Sequence, residues 1–211
     1  MYNPSQFREA RAEVLQAFIA QHPLGALVAM NAEGLVASHI PMLWKPAAQT
    51  PGLLQGHVAR ANPLWRCLAP DAPVLVIFGG ANHYITPSWY PTKQEHGKVV
   101  PTWNYSVVHV HGTIQFRAGD VTEALRQVSE LTARQEGVRA APWAVSDAPR
   151  DYIEAQLRGI VPFEITMTRW EGKFKASQHR EARERHSVNE ALAAEGMGAS
   201  ERSEIVRAPQ E

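Results

Sequence analysis

Cysteine is nearly missing from this chain: Cys67 is the only one in 211 residues. No disulfide framework can form within one chain, and no cysteine-based zinc site can be assembled. A single thiol fits a reducing compartment. A surplus of either charge is missing too. Lys and Arg number 21, Asp and Glu number 21, and the formal net charge is zero. Bulk binding to nucleic acid or to an anionic membrane needs a surplus of Lys and Arg, so neither is expected. There is no apolar run of 18 residues to span a membrane. The opening Met1-Tyr2-Asn3-Pro4 lacks a basic start followed by an apolar stretch, so a cytoplasmic protein is expected. There is no G-x-G-x-x-G, no phosphate-binding P-loop, no G-x-S-x-G elbow and no H-E-x-x-H. Any phosphate must therefore be held by side chains, and no catalytic motif is visible.

What is present is a globular composition, 45% hydrophobic and 20% charged. The length suits one domain with a full core. Nine His, six Trp and fifteen Pro stand out.

The apolar patterning predicts the elements. Asn3-Pro4-Ser5-Gln6 reads as a capped helix start, with Phe7, Val14 and Phe18 as its apolar stripe up to His22-Pro23. Strands are expected over 24–30 and 35–44 around the Asn31-Ala32-Glu33-Gly34 turn, then over 53–58. Asn62 reads as the cap of a short helix. Strands over 74–78 and 82–86 flank Gly79-Gly80, read as a turn, and 87–104 reads as one long irregular loop. From Tyr105 to Arg117, Val108, Val110, Ile114 and Phe116 alternate with polar residues, which is a half-buried strand. Helices are expected from Asp120 to about Gln135 and over 150–157, a last strand over 160–170, and a charged helix over 180–195. The tail from Gly196 shows little periodicity. This order predicts a mainly β (α+β) fold, a barrel or sandwich with helical additions.

Four stretches could carry chemistry. Gly56-His57-Val58-Ala59-Arg60-Ala61-Asn62-Pro63 joins a strand exit to a helix start, where Arg60 can grip a phosphate or serve a simple capped turn. Tyr84, Trp89, Tyr90, Trp103 and Tyr105 crowd one segment, suited to stacking on a planar ligand, covering a partner subunit or plugging a barrel end. His39, His57, His83, His96, His109 and His111 invite a metal, yet no Cys or acidic cluster supports one and none is expected. Lys173-Phe174-Lys175-Ala176-Ser177-Gln178-His179-Arg180 could complete an anion site or be a solvated loop.

Together these stretches resemble the PaiB family, FMN-binding negative transcriptional regulators of the flavin split-barrel superfamily. The resemblance rests on His39-Ile40-Pro41-Met42-Leu43, the 56–65 stretch, Tyr84-Ile85-Thr86-Pro87-Ser88-Trp89-Tyr90, Val100-Pro101-Thr102-Trp103-Asn104-Tyr105, Val108-His109-Val110-His111-Gly112 and Lys173 to Gln178. It implies a split β-barrel with an N-terminal helix and added C-terminal helices. It implies a single domain over 1–193 with helical insertions at about 120–157, and a tail over 194–211. It also implies a homodimer with FMN at the interface. The residues matched to cofactor binding are His39, His57, Arg60, Asn62, Trp103, Asn104, Tyr105, Lys175, Ser177 and Gln178. His179 stands where the family motif has Asn. A flavin-dependent oxidoreductase resembling pyridoxamine-phosphate oxidases, or a haem-binding split barrel, are the alternatives. DNA binding would follow from the family label, but the sequence has no helix-turn-helix and no basic stripe to support it.

Overall fold

In the computed structural model, which describes residues 1–209, Asn31 and Gly34 face each other across a two-residue turn. The Asn31 side chain accepts the Glu33 backbone N–H at 2.9 Å, and Gly34 takes φ +121°, a conformation open to a residue without a Cβ. The turn joins β2 (Leu24–Asn31) to β3 (Gly34–Pro41), antiparallel along their length. The expected strand over 35–44 is interrupted at Met42, whose N–H bonds the Pro23 carbonyl at 2.9 Å. β4 (Leu43–Lys45) then pairs with β5 (Leu53–Ala59).

The chain folds into two compact units that interleave in sequence. One comprises Ile19–Phe78 and Val110–Trp170; the other comprises Met1–Phe18, Gly79–His109 and the described residues from 171 onward. The long strands β6 (Ala72–Ile85), β7 (Thr102–Phe116) and β8 (Ile160–Lys175) contribute residues to both.

In the first of these units the strands lie in the order β3-β2-β6-β7-β8-β5-β4. β2 pairs antiparallel with β6 from Ala26↔Ile77 to Ala29↔Val74, and β5 with β8 from Leu53↔Thr166 to Ala59↔Ile160. Alternate side chains enter one core: Leu27, Leu54, Val76, Phe78, Val110, Ile114, Phe163 and Ile165 are fully buried. The expected β7 alternation holds at Val110 and Ile114. The short helix α2 (Leu64–Cys67) follows β5. The insertion forms α4 (Val121–Glu136) and α5 (Arg150–Arg158). Asp120 caps α4 by accepting the Glu123 N–H at 2.9 Å. α4 lies on the sheet: Gln127 donates to the Phe163 carbonyl at 3.2 Å and Arg126 to the Gln55 side chain at 2.9 Å.

In the other unit, β1 (Arg8–Glu9) pairs with Lys173 and Gly172 of β8. The first α-helix, α1 (Ala12–Gln21), starts eight residues later than the Asn3 cap implied. Asn3 does not cap a helix; its side chain donates to the Gly172 carbonyl at 2.8 Å, and strand pairing at Arg8–Glu9 takes up the backbone that the helix would have used. Gly79-Gly80 is not a turn. β6 runs through it, and glycine is needed at 80 because a Cβ there would lie 2.8 Å from the Phe18 ring and 2.3 Å from the Glu204 carboxylate. The 87–104 stretch is also built rather than irregular. It holds a 3-10 turn at Pro87–Trp89 and α3 (Thr92–His96), closed by Gly97 at φ +67°. α6 (Ala182–Ala194) and α7 (Ala199–Ile205) end the unit. Ile205 of α7 is buried in one cluster with Ile85, Tyr90, Val188 and Leu192. The tail from Gly196 is therefore helical where the sequence showed no period, except that 210–211 lie outside the described residues. No described helix is long and apolar enough to cross a membrane.

Gly112 marks a close contact between strands of the sheet. A Cβ there would sit 2.4 Å from the Thr166 carbonyl oxygen, and backbone cannot swing aside. Gly112→Ala is expected to cost about 1–3 kcal/mol of stability, as overpacking does, measured as a lower urea midpoint at unchanged slope. A variant as stable as the native chain would contradict this packing.

Candidate functional site

The β5 exit is built around Arg60. Its backbone N–H bonds the Gly159 carbonyl at 2.8 Å. Its Nε donates to the Arg158 carbonyl at 2.6 Å and one Nη to the Ile160 carbonyl at 3.3 Å, which ties the guanidinium to the C-terminal end of α5. Two of its five N–H groups are engaged in this way, and the others can meet an anion. Asn62 acts as the expected cap, accepting the Leu64 N–H at 3.0 Å, and its amide reaches Ser38 of β3 at 3.4 Å. The Trp65 ring has the Arg66 guanidinium at 4.5 Å and that of Arg60 at 5.8 Å. Neither Arg pairs with a carboxylate among the described residues.

His57 faces away from the barrel-side core, toward α4 and α5. Its Nδ1 is buried without a hydrogen-bond partner, and burial pushes its pKa below the ordinary histidine value. His39 is exposed on β3, opposite Ala26, and no hydrogen bond joins it to His57, Arg60 or Asn62.

A second group of candidates belongs to the other unit. Trp103 is half-exposed and meets the exposed Tyr84 edge-on, with ring centroids 6.1 Å apart. Lys175 donates to the Trp103 carbonyl at 2.8 Å and to the Thr102 hydroxyl. Lys173, on the same face of β8, donates to the Tyr2 carbonyl at 3.0 Å and lies 5.4 Å from the Tyr105 ring. Burial, with Lys173 nearby, lowers the Lys175 pKa from the usual lysine value. Neither ammonium has a carboxylate partner among the described residues, so this face of β8 carries uncompensated positive charge.

Asn104, Ser177 and Gln178 play a different part. Asn104 is buried; its amide donates to the Ser177 hydroxyl at 2.8 Å and to the Ile205 carbonyl at 2.9 Å. Ser177 sits at φ +60°, in the left-handed region that a non-glycine residue rarely takes. Gln178 folds back, accepting the Ala176 N–H at 2.8 Å and donating to the Phe174 carbonyl. These three hold the turn after β8 and dock α7 upon it. Glu204 of α7 was not among the expected site residues, yet its carboxylate accepts the Ala81 N–H at 3.0 Å. No group of three His, Cys, Asp or Glu able to hold a metal occurs among the described residues.

An antiparallel sheet with helical additions, side-chain cations for a phosphate and exposed aromatic rings fit a split-barrel protein of the flavin-binding kind. Solved structures agree on the fold. The FAD and haem binding protein of Mycobacterium smegmatis aligns at TM-score 0.55 and 18% identity, over 79% of this chain and 72% of that one. The flavocytochrome Anf3 of Azotobacter vinelandii aligns at 0.54 and 9% identity, over 79% and 68%. The family model described as "Putative FMN-binding domain" matches residues 1–169. The Bacillus subtilis "Protease synthase and sporulation protein PAI 2" is 30% identical over 91% of this chain and 89% of that protein. An uncharacterized protein of Aspergillus fumigatus is 35% identical over 91% and 90%. The chain belongs to the PaiB family, and the cofactor of its domain is FMN. The donor sets fit that group: Arg60 and Arg66 in one unit, and Lys173 and Lys175 in the other, are cations without carboxylates, the chemistry a phosphate or an electron-rich ring edge requires.

Burial lowers the pKa of His57, and it lowers that of His179, helped by Arg180 and Lys175. The unfolded chain therefore binds more protons than the folded one as pH falls below about 6.5. Stability should drop from pH 7 toward pH 5 until the folded-state pKa values are passed. His179→Asn should flatten the slope, read from urea midpoints across that range; an unchanged slope would refute the assignment to His179.

Proposed function

We propose that this protein is a cytoplasmic FMN-binding homodimer of PaiB type that serves negative regulation of transcription, with FMN at the interface between copies. The main support is one face of the β2–β3 hairpin. Met30 lies opposite Leu35, Val28 opposite Ala37, Ala26 opposite His39 and Leu24 opposite Pro41. Opposite residues of an antiparallel pair share a face, so these eight form one apolar strip with a single polar member, His39. Leu24, Met30 and Leu35 are 57%, 60% and 73% exposed. A strip of this kind on an edge strand is a liability in a monomer and suits burial by a second copy. Bound FMN supplies electron-transfer chemistry; the chain's own residues bind and orient it.

A flavin-dependent oxidoreductase is the second reading, favoured by the balance of 21 basic and 21 acidic residues, which gives DNA binding no electrostatic reserve. Retarded migration of the protein's own upstream DNA at physiological salt supports regulation. Turnover of reduced nicotinamide without such retardation supports the oxidoreductase.

Two measurements test the shared core of both readings. FMN added to the purified chain should bind at micromolar affinity or better, seen as a change in flavin absorbance. Arg60→Ala should weaken FMN by about tenfold or more while riboflavin, which lacks the phosphate, is held as before. Equal losses for both flavins would mean that Arg60 serves only the fold. Separately, Leu35→Glu should shift sedimentation from the dimer toward the 23.4 kDa chain. A native chain that sediments as a monomer at all concentrations would sink the assembly.

A further inference from the structure

The helical insertion borders a space in which His57 is the one residue matched to cofactor binding. α4, α5 and the segment between them surround a cavity of about 810 Å³. A second cavity of about 210 Å³ shares Trp143, Val145, Ile153 and Leu157 with it, and His57 of β5 stands in its wall. We propose that this cleft binds a neutral aromatic small molecule carrying one hydrogen-bonding group, which engages the imidazole of His57.

Four observations lead there. The size falls within the range of small-molecule sites, about 300–1,000 Å³. The walls are mainly apolar, with Leu125, Ile153 and Leu157 among them, and Trp143, half-exposed, borders both cavities as a flat ring surface. Charge is confined to Arg150 and Glu154, which pair with each other at 2.8 Å at an exposed position. A charged ligand would thus lose its hydration without a counter-charge, so the occupant is neutral. Last, His57 sets an imidazole into the wall of the smaller cavity among apolar neighbours such as Val128, Ile153 and Ile160. A ligand hydroxyl can donate to an imidazole nitrogen or accept from it, so the argument is independent of the ring tautomer.

The β-strand pattern explains why the sequence hid this. Trp143 lies in a stretch with no visible period, and His57 was grouped with Arg60 because the two are three residues apart. Strand alternation separates them: His57 projects under the helices while Arg60 lies beyond the strand end, tied to α5.

The test uses the full chain and two probes of equal size, 1-naphthol and 1-methylnaphthalene, titrated calorimetrically. One site per chain is expected, with 1-naphthol bound about fivefold tighter, the effect of one hydrogen bond. His57→Phe should make the two probes equal. Ser129→Trp, which fills the cavity from α4, should weaken both at least tenfold and leave the FMN titration unchanged. Leu125→Arg, at a 40% exposed rim position, repeats that test where the tryptophan variant fails to fold. Absence of binding, equal affinities in the native chain, or indifference to both cavity variants would overturn the proposal. So would dissociation of a dimer by Leu125→Arg, which would assign the cleft to a second copy. The probes report with or without flavin, so failure of FMN to bind leaves this result readable.

Discussion

The two-residue alternation of the paired strands β5 and β8 constrains everything else in their unit. Leu54 opposite Ile165, Gly56 opposite Phe163 and Val58 opposite Val161 fill one face with buried apolar groups. Gly56 belongs to the set because a Cβ there would lie 2.9 Å from the Phe163 ring. The other face must then carry Gln55 opposite Glu164 and His57 opposite Pro162. A slip of one residue would bury Gln55 and Glu164 in the core and expose the apolar set, so the register is strongly fixed. Polar groups on a face that a helix covers need partners. Gln55 finds them on both sides, donating to Glu164 at 2.8 Å and accepting from Arg126 of α4 at 2.9 Å. His57 finds none for its Nδ1. One strand thus supplies a polar tie to α4 and, two residues on, an imidazole that borders a cavity.

Overall neutrality conceals a division of labour among the charges. The carboxylates near α4 are consumed locally: Arg126 contacts Glu123 at 2.6 Å and Glu130 at 2.9 Å, and Lys45 contacts Glu130 at 2.6 Å. Hydrogen bonds from Arg126 hold the Glu123 carboxyl below the ordinary glutamate range. Arg60, Arg66, Lys173 and Lys175 are left to carbonyls, hydroxyls and ring faces. A zero sum over the chain excludes a general polyanion binder, yet it permits local positive charge where a single phosphate would be held. Distances between charges, and not their count, decide this.

Much of the fold was legible because periodicity and capping are local. The burial of Val108, Val110 and Ile114 follows from alternation, and the start of α4 follows from Asp120. The failures share one cause, contact with residues distant in sequence. Asn3 prefers the Gly172 carbonyl, and Gly80 is needed because Phe18 and Glu204 press on the strand. α7 is short and aperiodic, and it is stabilised by Ile205 entering a cluster formed by three other segments. At the site, residue types were readable while their directions were not. Arg60 and the Lys175 region have the expected chemistry, but the sequence could not show that Asn104 turns inward or that Trp143 lines a cavity.

The residues matched to cofactor binding therefore divide by what their polar atoms already do. Both donors of Asn104 are engaged, Gln178 is closed upon its own turn, and Ser177 is held by Asn104 in a left-handed conformation. Such a conformation costs on the order of 1–3 kcal/mol and persists only where surrounding bonds over-determine it. Here those bonds run to α7, so the late motif shapes the turn that presents Lys175. Arg60, Lys175 and Trp103, with the unmatched Lys173 beside Lys175, retain free donors, unpaired charge or open ring surface. This second set keeps the groups that a phosphate or a ring could meet. The first set acts through position, which explains why one short motif mixes buried amides with a lysine: the amides hold the backbone, and the ammonium is what the backbone holds in place.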